Sequence, residues 1–327
     1  MSNLVKSINF APEKLKEMLY DMMLIRSFEE HVEKLYQQGK IHGTMHLCIG
    51  QEATAVGVCS VLTNDDKIIS THRGHGHCIA KGMNVDRMMA ELLGKATGYC
   101  KGKGGSMHIA DLDVGSLGAN GIVAGGLPLA TGASLTSKMK DLGYAVVAFF
   151  GDGSTNEGAF HESLNLASVW NLPVIFFCEN NLYGMSGSIK EMTNIKDIAE
   201  RSASYGIPGE IVDGNNLLEV AKVTKKAIER AKSGHGPTLI EAKTYRWRGH
   251  SKSDARKYRT REEEKEWRKT KDPIALFKNQ LMEDHILTEE TFKELEERLE
   301  KEMEAAIKFA VNSPAPTEDT LEIDIFA

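Results

Sequence analysis

The sequence predicts an α/β fold, a parallel sheet with helices on both faces, followed by a helical C-terminal tail. Three observations carry that expectation. Two uninterrupted apolar runs, 145–150 and 174–178, lie within the strand readings 144–150 and 173–179 and are bounded by glycine or proline. Shorter apolar runs at 67–70, 210–212 and 238–242 alternate with helical periodicity at 155–170 and 216–233. Strands and helices in that alternation build parallel pairs, and a strand without polar alternation is buried on both faces.

The other elements follow in order. Residues 12–38 open with Pro12 where a helix tolerates it, carry Leu15, Met18, Leu19, Met22, Ile25, Phe28, Val32 and Leu35 at helical spacing, and stop at Gly39. After Tyr245 the composition changes. Residues 246–272 mix arginine, lysine and glutamate with almost no aliphatic side chains, which predicts a solvated loop passing into a surface helix. Residues 273–312 read as two amphipathic helices, ended by Ser313, Pro314, Ala315 and Pro316. The change divides the chain into 1–245, an α/β domain with an N-terminal helix, and 246–327, a loop with C-terminal helices.

Composition narrows the function classes. No apolar run approaches the ~20 residues that cross a bilayer, so no membrane span is expected. With 40 basic against 46 acidic side chains, interspersed, there is no basic face for nucleic acid. The five cysteines are an odd number without a CxxC pair, and no secretory leader pattern opens the chain, so a reducing cytoplasm is expected.

The chemistry is expected where the two strongest strands end. The first runs into Gly151, Asp152 and Gly153, and the second ends in Glu179, Asn180 and Asn181. In a parallel sheet both ends lie on one edge, where open α/β folds bind ligands. The glycines flanking Asp152 permit a sharp turn and close approach to a phosphate. A helix beginning near Thr155 would aim its first amides at the same spot. Mg2+ takes oxygen ligands, one or two from side chains with phosphates supplying others, and Asp152, the Asn181 amide oxygen and the Tyr183 carbonyl suit it.

His72, His75, His77 and Cys78 are zinc-type ligands, although a histidine beside a diphosphate serves as a hydrogen-bond donor and proton shuttle. Lys101, Gly102, Lys103, Gly104 and Gly105 resemble a phosphate loop only superficially, because the GxxxxGK[ST] pattern and a preceding strong strand are missing. No GxGxxG follows a strand, which argues against a nicotinamide site. Gly121, Gly125, Gly126 and Gly132 suit tight helix packing or a partner surface. The loop 246–261 is expected to be solvated except at His250, where Gly249 gives freedom and Arg246 and Arg248 add positive charge. An Mg2+-dependent phosphate-ester enzyme built on Asp152 and a non-catalytic assembly subunit are the rivals from other classes.

Gly151-Asp152-Gly153, a spacer holding one helix and one strand, and Asn180-Asn181 resemble the motif that binds thiamine diphosphate through Mg2+. The resemblance covers about residues 15–315 and narrows to the α subunits of pyruvate, branched-chain 2-oxoacid and acetoin dehydrogenases. Its landmarks are His46 before Gly50-Gln51-Glu52-Ala53, the run from Thr71 to His77, the run from Lys101 to His108, Asn120-Gly121-Ile122-Val123 and Gly249-His250-Ser251. It implies Mg2+ bound by Asp152, Asn181 and Tyr183, and cofactor contacts at His46, His72, Arg73, Gly121, Val123, Gly153, Ser154 and His250. His250 is then the catalytic histidine on a closing loop, and His75 a second active-site histidine. The resemblance further implies cleavage of acetoin, or decarboxylation of pyruvate or a branched-chain 2-oxoacid, with transfer of the fragment to a lipoyl group on a partner acyltransferase. It also implies an α2β2 heterotetramer whose β subunit completes each site. Histidine at 72, where pyruvate enzymes usually carry tyrosine, and His108-Ile109-Ala110-Asp111 look like acetoin dehydrogenases, whereas the loop from Gly249 to Asp254 looks like the pyruvate enzymes.

Overall fold

The computed structural model describes residue 8 and residues 10–323. Six strands form one parallel sheet in the order β2-β1-β3-β4-β8-β7. They are β1 Lys67–Thr71, β2 Ser116–Asn120, β3 Val146–Gly151, β4 Val174–Asn180, β7 Gly209–Asp213 and β8 Thr238–Lys243. A two-residue hairpin, β5 Tyr183–Gly184 with β6 Gly187–Ser188, lies beyond the end of β4. All five strands read from sequence are present. The sixth, β2, was missed because it is Ser-Leu-Gly-Ala-Asn at the sheet edge, where half-burial requires no apolar run.

The two central strands alternate their side chains between two cores. Val146, Ala148 and Phe150 of β3, with Val174 and Phe176 of β4, face α5 Gly126–Met139 and α6 Gly158–Val169. Val147 and Phe149, with Ile175 and Phe177, face α2 Glu52–Cys59 and α8 Leu217–Lys232. Both faces are therefore sealed, which is why these runs carry no polar residue.

A third core joins the ends of the chain. The buried side of α1, Pro12–Gln37, packs with α4 Val85–Leu92, α10 Pro273–Glu283 and α11 Glu289–Asn312. Pro12 occupies the first turn of α1, and Gly39, at φ +72°, lets the chain turn back after it. Between these lie α3 His75–Ala80, the short α7 Ile189–Met192 and α9 Arg261–Thr270. Helices α2 to α5 were not predicted, because their segments are short or rich in glycine. No helix among the described residues is long and apolar enough to cross a membrane.

The charged segment at 246–272 corrects the solvated expectation. Arg246 and Arg259 are buried, and each guanidinium donates to two backbone carbonyls. Arg246 donates to the carbonyls of Tyr183 and Met185, and Arg259 to those of Arg246 and Arg248. Glu264, also buried, accepts from Arg256, Arg259 and Arg261. Composition alone does not separate an arginine bonded to carbonyls from one bonded to water.

One close approach fixes the packing of α2 on α8. A Cβ at Gly57 would stand 2.7 Å from Val220 Cγ1 and 3.0 Å from the Leu217 carbonyl. Gly57→Ala is expected to lower stability by about 1–3 kcal/mol through overpacking, measured as a shifted urea midpoint with an unchanged slope.

Candidate active site at the carboxyl ends of β3 and β4

The register of β3 on β4 sets Gly151 opposite Glu179, so the chains leave the sheet side by side as Asp152 and Asn181. Both side chains are buried. They line a cleft of about 380 Å³, shared with His72, Arg73, Val123, Gly153, Ser154, Tyr183, Arg246 and His250.

The first amides after Asp152 do not belong to the expected helix. Asp152–Asn156 is a 3-10 turn, and α6 begins at Gly158, because Glu157 is extended between them. Gly153 meets Gly184 across the cleft floor, where a Cβ on either would lie 3.3 Å from the other's Cα. The pair keeps the floor bare for a bulky anion.

Asp152 forms no ion pair among the described residues. Burial pushes its carboxyl up to about 6, with backbone amides and Arg246 offsetting only part of that cost. Asn181 donates its Nδ2 to Gln51 Oε1 at 3.1 Å, and its Oδ1 is buried without a partner. The Tyr183 carbonyl accepts from Arg246 Nη1 at 2.9 Å, which leaves a second lone pair. A lone carboxylate, an orphan amide oxygen and a carbonyl are hard donors of the kind Mg2+ takes, so the residues fit that ion. The guanidiniums of Arg73 and Arg246 and the imidazoles beside them fit the polyphosphate such an ion accompanies.

Gln51 was a sequence landmark without a role, and the structure supplies one. It turns the Asn181 amide so that oxygen, not nitrogen, is left free. Its neighbour Glu52 holds the same loop, accepting from Arg26 Nε at 2.5 Å and from the Gly50 amide at 3.0 Å. Arg73 is fixed between the carbonyls of Leu47 and His250, at 2.5 and 3.1 Å. Burial and the charge of Arg246 bring its guanidinium down to about 9.

The histidines separate into two groups. His46, His72 and His250 cluster, with ring centroids 4.5, 4.9 and 5.5 Å apart; His72 and His250 line the cleft, and His46 packs behind them without lining it. Burial first, then the charge of Arg73, holds them far below their ordinary value, to about 3, 2 and 4. His75 and His77 lie elsewhere. His75 is fully buried, with Nδ1 2.9 Å from Glu29 and Nε2 2.9 Å from Ser106 Oγ, and it does not line the cleft. His77 stacks on Phe149 and spans Ser70 and Glu179. The reading that grouped His72, His75, His77 and Cys78 as zinc ligands is corrected, because α3 begins at His75 and carries the later residues into the core.

Other predicted positions sort as follows. Gly121 is exposed and does not line the cleft; a Cβ there would lie 3.8 Å from Met107 and His108. Arg248 points away from the site and pairs with Glu33, whereas Arg246 faces in. Gly126 takes α5 close onto β1, since a Cβ there would lie 2.8 Å from Ile69 Cγ2, and Gly132 opens to solvent. The glycine-rich loop presents no phosphate site. The amides of Cys100 and Gly102 donate to Glu91 Oε2, and those of Gly104 and Gly105 to its Oε1. The rim of the cleft is apolar and open: Ile122 is 73% exposed and Met185 66%, and Val123 and Met192 stand beside them.

The three cleft histidines make stability depend on pH. Their folded values lie below the unfolded value of 6.5, so their contribution is present above about 6.5 and is lost as pH falls through the folded values. The ligand-free chain should lose unfolding free energy between pH 7 and 5, and His72→Tyr should flatten that slope, as read by urea titrations at each pH.

A model of the dehydrogenase E1 component family matches residues 20–319. The chain is similar to the α subunit of the acetoin:2,6-dichlorophenolindophenol oxidoreductase of Bacillus subtilis. The two are 49% identical over 98% of this chain and 96% of that protein. It is 43% identical to the subunit of the same name from Cupriavidus necator, over 96% of this chain and 94% of that one. The pyruvate dehydrogenase E1 component subunit alpha of Porphyra purpurea is 40% identical, over 98% of this chain and 95% of its own.

Proposed function

The chain belongs to the dehydrogenase E1 component family, and on that premise we propose that it is the α subunit of an acetoin-cleaving, thiamine-diphosphate-dependent dehydrogenase. The observation that carries the cofactor site is the pairing of an unneutralised Asp152 with the orphan Oδ1 of Asn181 at one sheet edge. Asp152, Asn181 and the Tyr183 carbonyl would hold Mg2+ against the diphosphate. Arg73, His46, His72, Ser154 and the bare turn at Gly153 would receive the diphosphate oxygens, with Gly121 and Val123 at the approach. When bound, thiamine diphosphate supplies a carbon nucleophile for a substrate carbonyl and takes up the electrons of the bond that breaks.

This chain's own groups then position and protonate. His250 sits in the cleft on a loop fastened through Arg73, and we assign it the role of proton donor and acceptor near the reacting carbon. The negative charge of a bound diphosphate raises its low proton affinity toward the range where it exchanges protons near neutrality. Arg246 keeps the hairpin carrying Tyr183 in place. His75, bonded on both ring nitrogens, would act only by holding Ser106 and the glycine-rich loop.

The exposed apolar rim supports completion of each site by another subunit, since soluble chains rarely leave such a patch uncovered. We infer that a β subunit covers it in an α2β2 assembly, and that the fragment passes to a lipoyl group on an acyltransferase. The division into 1–245, bearing the diphosphate half, and 246–327, bearing the closing loop, fits that scheme. Five free cysteines fit a reducing cytoplasm. The acetoin assignment rests on the names of the two relatives and on His72.

Calorimetric titration of thiamine diphosphate tests this reading. Binding should need Mg2+ and the copurified β chain, and Asp152→Ala should abolish it without unfolding the protein. With lipoyl acceptor present, kcat/KM for acetoin should exceed that for pyruvate at least tenfold. Unchanged affinity in Asp152→Ala would remove the assigned Mg2+ site, and preference for pyruvate would overturn the substrate.

A further inference from the structure

We propose that His46, His72 and His250 form a second metal site, one that takes Zn2+ or a similar borderline cation when the cofactor is absent. Each offers one ring nitrogen, and the three nitrogens lie within 4.8 Å of one another. Tetrahedral Zn2+ with Zn–N bonds of about 2.0–2.1 Å brings its ligands to roughly 3.4 Å apart, so the ring nitrogens need to close by up to about 1.4 Å. All three stand on irregular backbone that can accommodate such a shift: His46 before α2, His72 in the turn after β1 and His250 in the loop after β8.

The rings are also chemically unspent. His46 is 6% exposed, and its Nδ1 is buried without a hydrogen-bond partner. The ring nitrogens of His72 and His250 make no hydrogen bond to another described residue, in contrast to His75 and His77, whose ring nitrogens are all engaged. Burial keeps the cluster in the neutral form that ligates without releasing protons. Imidazole selects Zn2+ over Mg2+, whereas the oxygen donors at Asp152 and Asn181 select the reverse, so one cleft offers two sites of opposite preference.

Three histidines leave one coordination position open, as in catalytic rather than structural zinc sites. The guanidiniums of Arg73 and Arg246 oppose a bare dication there. The fourth ligand is therefore an anion such as chloride, hydroxide or phosphate, which those charges favour. On the reading that these imidazoles receive the cofactor's diphosphate, zinc and cofactor exclude one another.

The test uses the chain copurified with its partner subunit, stripped of cofactor by dialysis and titrated with zinc chloride against a chromophoric chelator. One Zn2+ per α chain is expected, weakened at least tenfold by His72→Tyr and by His46→Ala and retained in Asp152→Ala. Zinc-edge X-ray absorption of the unsubstituted protein should show nitrogen and oxygen neighbours only. Sulfur in the first shell, or affinity unchanged in both histidine variants, would overturn the site. Saturation with Mg2+ and thiamine diphosphate should weaken zinc binding at least tenfold. If zinc binds through the histidines with no such competition, the metal site stands and the histidines lose their assigned place against the diphosphate.

Discussion

Everything in the cleft depends on how β3 pairs with β4. Six residue pairs in unbroken register bring Gly151 level with Glu179, and the first residues past the sheet are then a carboxylate and an amide aimed into one space. A slip of one residue would turn Val146, Ala148 and Phe150 out of one core and into the other, so the hydrophobic sorting of the sheet enforces the register. The site inherits its precision from that core. Burial without an ion-pair partner raises the Asp152 carboxyl, an imbalance that a cation would relieve, and the same low-dielectric setting holds the neighbouring histidines neutral.

A set of hydrogen bonds holds the loops that carry these groups. Gln51 orients Asn181, Arg246 ties the hairpin of Tyr183 to the segment after β8, and Arg73 joins the loop at Leu47 to the one at His250. Three loops far apart in sequence are thus fastened by guanidinium-to-carbonyl bonds. Guanidinium donors suit this purpose, because a carbonyl that accepts one of their N–H groups keeps its second lone pair for another partner.

How much was legible in the sequence follows from what each residue has to do. The central strands were plain, since burial on both faces demands uninterrupted apolar residues, and Asp152 with Asn181 followed because strand ends in a parallel sheet share an edge. Strand β2 and helices α2 to α5 were not, because an edge position and short length ask little of composition and the glycines of α5 mask its helical pattern. His75 was read as a second active-site histidine from the resemblance, yet it opens α3 and is buried behind the cleft that His72 lines. The buried arginines of the 246–260 loop looked like surface charge, for their carbonyl partners are backbone and leave no mark in the sequence. Gln51 was visible as a landmark, but which atom of Asn181 it frees is a matter of three-dimensional contact alone.

The loop from Cys100 to Gly105 wraps its amides around Glu91 as other proteins wrap theirs around a nucleotide. The chain carries its own resident anion there, covalently attached and permanently at saturating concentration. Such a loop behaves as a nest already occupied. Its glycines serve the architecture rather than recognition, and a search for ligands guided by their pattern would lead to a cradle that the protein has filled with itself.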